Sequence, residues 1–151
     1  MPPAAPSPAP LPSLPVTFRP TRTRAVLLTT GVAILAVLTV IALMLPTLTV
    51  GERASFIGTG VLFLGVLVLL ARPHVTADED GVTVVNLTRS RRLQWAELVK
   101  VNLRPGDPWV YLDLSDGTSL PAMGIQPGIS RAQAIRDATA LRALADLHGT
   151  G

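Results

Sequence analysis

The densest group of side chains able to do chemistry is Arg89-Ser90-Arg91-Arg92. A guanidinium carries a planar fork of donors that fits phosphate or carboxylate bidentately. Arg89, Arg91 and Arg92 are therefore candidate contacts for an anion, either a lipid headgroup or an acidic partner surface. A solvated hairpin offset by nearby acids would carry the same residues. The acidic counterpart is Asp78-Glu79-Asp80. A calcium loop needs more oxygens at longer spacing and a late bidentate Glu, so this run reads as a solvated turn. His74 and His148 are remote in sequence and lack ligand-spaced neighbours. His148 falls where the C-terminal end of a helix favours a cation.

The sequence has no Cys, which removes disulfides, thiolate metal sites and a Cys nucleophile. Its glycines form neither a Walker loop nor a dinucleotide fingerprint, and no Ser lies in a nucleophile elbow. These residues predict a non-enzymatic protein, without catalytic, cofactor-binding or metal-ligating residues and without a cofactor.

The elements that must position the arginines follow from periodicity. Val82 and Val84, then Val99, Val101 and Leu103, then Val110, Leu112 and Leu114 repeat at period two. Strands are expected near 74–77, 82–87, 91–94, 99–104, 109–115 and 118–123. Asp80-Gly81 and Asp116-Gly117 read as turn dipeptides, the second as a hairpin. Strands this close in sequence imply an antiparallel sheet. Trp95 and Trp109 flank strands and are expected to be core or half-buried. Period 3.6 then takes over. Ile135, Ala138, Leu141, Leu144 and Leu147 make an apolar stripe on a helix over about 131–148. Ser130 and Gln133 have capping-box spacing, and Gly149 is a natural stop.

Two charge-free apolar runs precede this domain, Ala25–Leu45 and Ala54–Ala71, separated by Pro46–Arg53. As helices they would span about 31 and 27 Å, against a hydrocarbon core of about 30 Å. They predict a transmembrane hairpin, which leaves 72–151 as the folded domain. The first run is longer than a signal-peptide core and lacks a small-x-small cleavage site after it. A soluble pair of buried helices would need more protein to cover it than the chain provides. No ionisable residue lies within either run, which argues against transport. Small residues, Ala25, Thr29 and Ala33 in the first run and Gly58, Gly60 and Gly65 in the second, suit close packing of the two helices, or self-association.

The net charge of +3 is carried by Arg19, Arg22 and Arg24, because acids and bases balance from residue 72 onward. The folded part is neutral, which argues against nucleic acid as a partner. Arginines on both outer flanks place both termini in the cytoplasm and the chain in the plasma membrane as a multi-pass protein. The stretch 1–24 is rich in proline and is expected to be a disordered cytoplasmic tail.

The stretch Val75-Thr-Ala-Asp-Glu-Asp-Gly-Val-Thr-Val-Val-Asn-Leu resembles the first hairpin of bacterial pleckstrin-homology (PH)-like domains. Arg91-Arg-Leu-Gln-Trp-Ala-Glu-Leu is similar to the basic, Trp, acidic-turn element that follows there, and Pro108-Trp109 and Asp116-Gly117 also fit. The resemblance covers about Phe18–His148. It points to the actinobacterial membrane family named for low molecular weight protein antigen 6. It implies an α+β fold, in which a curved antiparallel sheet of about seven strands is capped by one C-terminal helix. Such folds chiefly recognise lipids or proteins. Eukaryotic lipid-binding members carry a basic motif in the first hairpin, whereas the turn here is acidic, so the resemblance does not imply phosphoinositide binding by that route. The expected function is a membrane-anchored scaffold or interaction module that meets an unknown protein or a second copy. The alternative is anionic-lipid binding through Arg89–Arg92.

Overall fold

The computed structural model describes Pro3 and residues 10–149. The expected disorder of residues 1–2 and 4–9, and the chain end at 150–151, lie outside the described residues. Seven strands and three α-helices follow in the order β1 (Val16–Phe18), α1 (Thr21–Met44), α2 (Val50–Leu70), β2 (His74–Ala77), β3 (Gly81–Val85), β4 (Ser90–Gln94), β5 (Leu98–Asn102), β6 (Val110–Leu114), β7 (Ser119–Ala122) and α3 (Arg131–Gly149). A 3-10 turn at Trp95–Glu97 joins β4 to β5.

Both sheets are antiparallel. The first has the order β1-β2-β3-β4 and the second β5-β6-β7. The sequence-based strands stand, with ends moved by up to two residues. The largest departure is β1, which lies where a disordered tail was expected. Val16, Thr17 and Phe18 pair with Ala77, Thr76 and Val75, and Phe18 is buried in the core. The outer edge of the first sheet thus comes from before the helical hairpin, and α1 and α2 are the connection between two neighbouring strands. The Asp78–Asp80 turn joins β2 to β3, the first pair of strands connected as a hairpin.

The helices also overrun the apolar stretches. A helix continues through polar residues until something caps it. At α2 that cap is Thr49: Glu52 accepts from the Thr49 backbone N–H at 2.8 Å, and Thr49 Oγ1 accepts from the Glu52 N–H at 3.3 Å. The helix therefore starts at Val50, not Ala54. At the other end α1 starts at Thr21, which places Arg22 and Arg24 on its first turn. Both helices are long and apolar enough to cross a membrane, and most of their Leu and Val side chains face outward. Their contact is reciprocal. A Cβ on Gly31 would meet Leu64 Cδ1 at 2.8 Å, and one on Gly60 would meet Leu35 Cδ1 at 2.9 Å. Gly60 was expected at this seam. Gly31 was not, and Gly58 and Gly65 face open space.

One core joins both sheets and α3. Val75, Val82, Val84 and Leu93 meet Val101, Val110, Leu112 and Ile125, closed by Ala134, Ala138, Leu141 and Leu144. The stripe on α3 differs from the expected one. Ala134 is buried, while Ile135 and Leu147 are 49% and 59% exposed. Small alanines let the helix sit close to the sheet, which turns the larger flanking residues outward. Gln133, expected to form a capping box with Ser130, is engaged elsewhere. It donates from Nε2 to the Arg19 carbonyl and accepts from Thr21 Oγ1 at 3.0 Å, which ties α3 to the root of α1.

Candidate functional site

The Arg89–Arg92 stretch occupies the β3–β4 turn and β4. In the ladder Arg91 lies opposite Val84 and Arg92 opposite Thr83. Successive strand residues point to opposite faces, so Arg91 and Arg92 do not converge. Arg92 is already engaged. It donates to Asp78 Oδ2 at 2.6 Å, to Asp78 Oδ1 at 2.7 Å and to Thr83 Oγ1 at 3.0 Å. Hydrogen bonds from Arg92 hold the Asp78 carboxyl below the usual aspartate range, with help from the Asp80 and Gly81 N–H groups. In return the Arg92 guanidinium is pushed up. Asp78 of the acidic turn and Arg92 of the basic strand, separate features of the sequence, thus pair with each other.

Arg89 and Arg91 remain. With Ser90, Asn86, Val84, Leu120 and Pro121 they line an open cleft of about 460 Å³ between the β3–β4 turn and β7. Hydrogen bonds from the Thr118 hydroxyl and N–H lower the Asp116 carboxyl, and the charge of Arg91 adds a smaller contribution. Asn86 builds the back of the cleft. Its Nδ2 donates to the Pro121 carbonyl at 2.8 Å and its Oδ1 accepts from the Met123 N–H at 3.0 Å. Asn86, expected inside a strand over 82–87, therefore bridges the two sheets. Periodicity carries no signal for that role.

The cleft also lies near the helices. Arg72, two residues past the end of α2, donates from Nη1 to the Leu87 carbonyl at 3.3 Å. This bond holds the β3–β4 turn against the base of the hairpin. A second basic surface occurs there, where Arg19, Arg24, Arg72 and His74 share a cleft with residues of α1 and α2.

Trp95, directly after β4, is buried. Its Nε1 donates to the Asp78 carbonyl at 2.9 Å, and its ring stacks on His148 with centroids 5.1 Å apart. His148 therefore packs the end of α3 onto the 3-10 turn. His74 Nδ1 is 2.8 Å from the Arg72 carbonyl oxygen. Among the described residues no group of three His, Asp or Glu side chains gathers as a metal site would require.

Residues 72–144 match the family described as Bacterial PH domain. An uncharacterised protein of Mycobacterium bovis is 31% identical to the chain over 75 residues, 50% of this chain and 49% of that protein. Uncharacterised proteins of two Mycobacterium tuberculosis strains match to the same extent. The chain thus spans about half the length of the curated relatives it matches. No solved structure matches it significantly.

Proposed function

We propose that this bacterial PH-like domain, rooted on two apolar helices, is a membrane-anchored, non-enzymatic interaction module at the cytoplasmic face of the plasma membrane. One observation carries the reading. The strands on either side of the helical hairpin, β1 and β2, are paired in register. Both flanks of α1 and α2 therefore lie together, and a bilayer crossed by those helices has the whole folded domain at one surface. Arg19, Arg22, Arg24 and Arg72 flank the helices on that side, and the excess of basic residues favours the cytoplasm. PH-like folds present loops and sheet edges to lipids or proteins, and the fold by itself does not choose between them. The edges offered here are β4 and the exposed side of β5, where Val99 is 66% exposed. The occupant is an unknown protein or a second copy of the chain.

A second reading has its own support. Arg89 and Arg91 line a cleft on a turn held to the helix base by Arg72, so their guanidinium groups can meet anionic lipid headgroups. Arg92, committed to Asp78, contributes less to such a contact. Photo-crosslinking groups placed at Arg89 and Val99 in the full chain, in intact cells, separate the readings. Protein adducts at Val99 support the interaction module, and lipid adducts at Arg89 support the alternative. Recovery of uncrosslinked monomers alone contradicts the module.

A further inference from the structure

We propose that the cleft at the base of the helical hairpin seats one anionic glycerophospholipid of the surrounding bilayer. This inference rests on the reading of α1 and α2 as membrane helices. The cleft has a volume of about 510 Å³, and the places of its lining residues along α1 and α2 divide it into two levels. Arg19, Arg24 and Arg72 with His74 form the upper level, at the sheet. Leu28, Val68 and Leu69 form the lower level, along the helices. No carboxylate lines either level.

The spacing along the chain explains the two levels. Arg24 and Leu28 stand four residues apart on one face of α1. Gly65, Val68 and Leu69 follow the i, i+3, i+4 pattern on α2, with Arg72 at i+7 just beyond its end. Along both helices the order from sheet to span is therefore cation, then hydrocarbon. A phospholipid has the complementary order, phosphate above acyl chain. Gly65 adds shape to this arrangement. No heavy atom comes within 4 Å of where its Cβ would be, so it leaves a notch in the apolar wall.

Part of the cationic level is braced before any ligand arrives. Arg72 is oriented by its bond to the Leu87 carbonyl. Gln133 of α3 holds the Arg19 carbonyl and Thr21. Cations fixed in place lose less side-chain freedom on binding than free ones. The Arg89–Arg91 cleft lacks this apolar lower level of helix residues, so it fits a headgroup alone.

Native mass spectrometry of the full chain, with phosphatidylglycerol and phosphatidylcholine offered together, tests the proposal. The wild-type protein is expected to retain one phosphatidylglycerol in preference to phosphatidylcholine. Arg24→Gln with Arg72→Gln should lower that adduct roughly tenfold or more, since charge-assisted hydrogen bonds to phosphate are lost. Gly65→Leu keeps every charge and fills the notch, and it should lower the adduct as well. Arg89→Gln with Arg91→Gln should leave it unchanged. Equal retention of both lipids, equal loss in the Arg89 and Arg91 variant, or displacement of the lipid by glycerol phosphate would each overturn the proposal. Alkaline carbonate extraction of each variant separates the two levels of failure. A protein that extracts is not a membrane protein and fails the anchor reading. One that stays in the membrane without the adduct fails this inference alone.

Discussion

Thr17 and Thr76 face each other in register on β1 and β2 with their hydroxyl oxygens 3.3 Å apart, although 59 positions separate them in sequence. Between them lie both apolar helices. The domain and the helical hairpin are therefore not joined by a single linker. They share a strand pair.

This arrangement makes β1 part of the domain's stability. Phe18 is 5% exposed and packs into the common core. Phe18→Ala is expected to destabilise the folded domain by about 3–5 kcal/mol, the range for a buried aromatic truncated to Ala. A fragment that begins at Arg72 should be destabilised in the same way and leave the β2 edge unpaired. Urea unfolding monitored through the fluorescence of Trp95 and Trp109 would measure both. Equal midpoints for the two proteins and the intact chain would show that β1 is dispensable.

Asn86 is expected to matter more than its place at a strand end suggests. Asn86→Ala removes a donor to Pro121 and an acceptor for Met123 N–H, both part-buried. Leaving such groups unpaired costs about 1–3 kcal/mol. Hydrogen exchange should show faster exchange at Met123 and loosening of β7 relative to β3, with β1 and β2 unaffected.

The Asp78–Arg92 pair gives a pH dependence of known sign. The Asp78 carboxyl is held below its ordinary value in the fold. Its contribution to stability is therefore present above the unfolded aspartate value, near pH 4, and is lost as pH falls through the lower folded value. Arg92→Gln should raise the Asp78 titration midpoint toward that ordinary value, followed by carboxyl NMR shifts. The pair is exposed, so the effect on stability is expected to be small. An unchanged midpoint would show that Arg92 is not its partner in solution.

The helix seam makes a contrast between glycines on one helix. Gly60→Leu should force α1 and α2 apart, because Leu35 Cδ1 and Cα lie 2.9 and 3.1 Å from the added Cβ. Gly58→Leu faces open space and should leave the spacing unchanged. Spin labels on the two helices would report a longer distance for the first variant alone. The same shift in both variants would contradict the seam.

Much of this fold is legible from local pattern. Val82 and Val84, or Val110, Leu112 and Leu114, alternate at period two because one face of each sheet is buried, and those strands appear where expected. What sequence hides is partnership at a distance. Val16-Thr17-Phe18 is too short to show a period and lies beside prolines, so its pairing with Val75-Thr76-Ala77 across the hairpin leaves no local mark. Arg92 reads as part of a basic cluster until the ladder sets it beside Asp78. Ala134 replaces Ile135 in the core because closeness of approach, not hydrophobicity alone, decides which face of α3 meets the sheet. The clefts are least legible, since Arg19, Arg24 and Arg72 meet through the same long-range pairing.

The most direct test of the anchored-domain account is cysteine accessibility in intact cells, which is clean because the chain has no native Cys. Single cysteines would be placed at Thr47 between the helices, at Thr17 before them and at Ser115 in the domain, and treated with a membrane-impermeant maleimide. The account predicts labelling of position 47 in intact cells, and of positions 17 and 115 only after lysis. Labelling of position 17 or 115 from outside, or protection of position 47 until lysis, would contradict it.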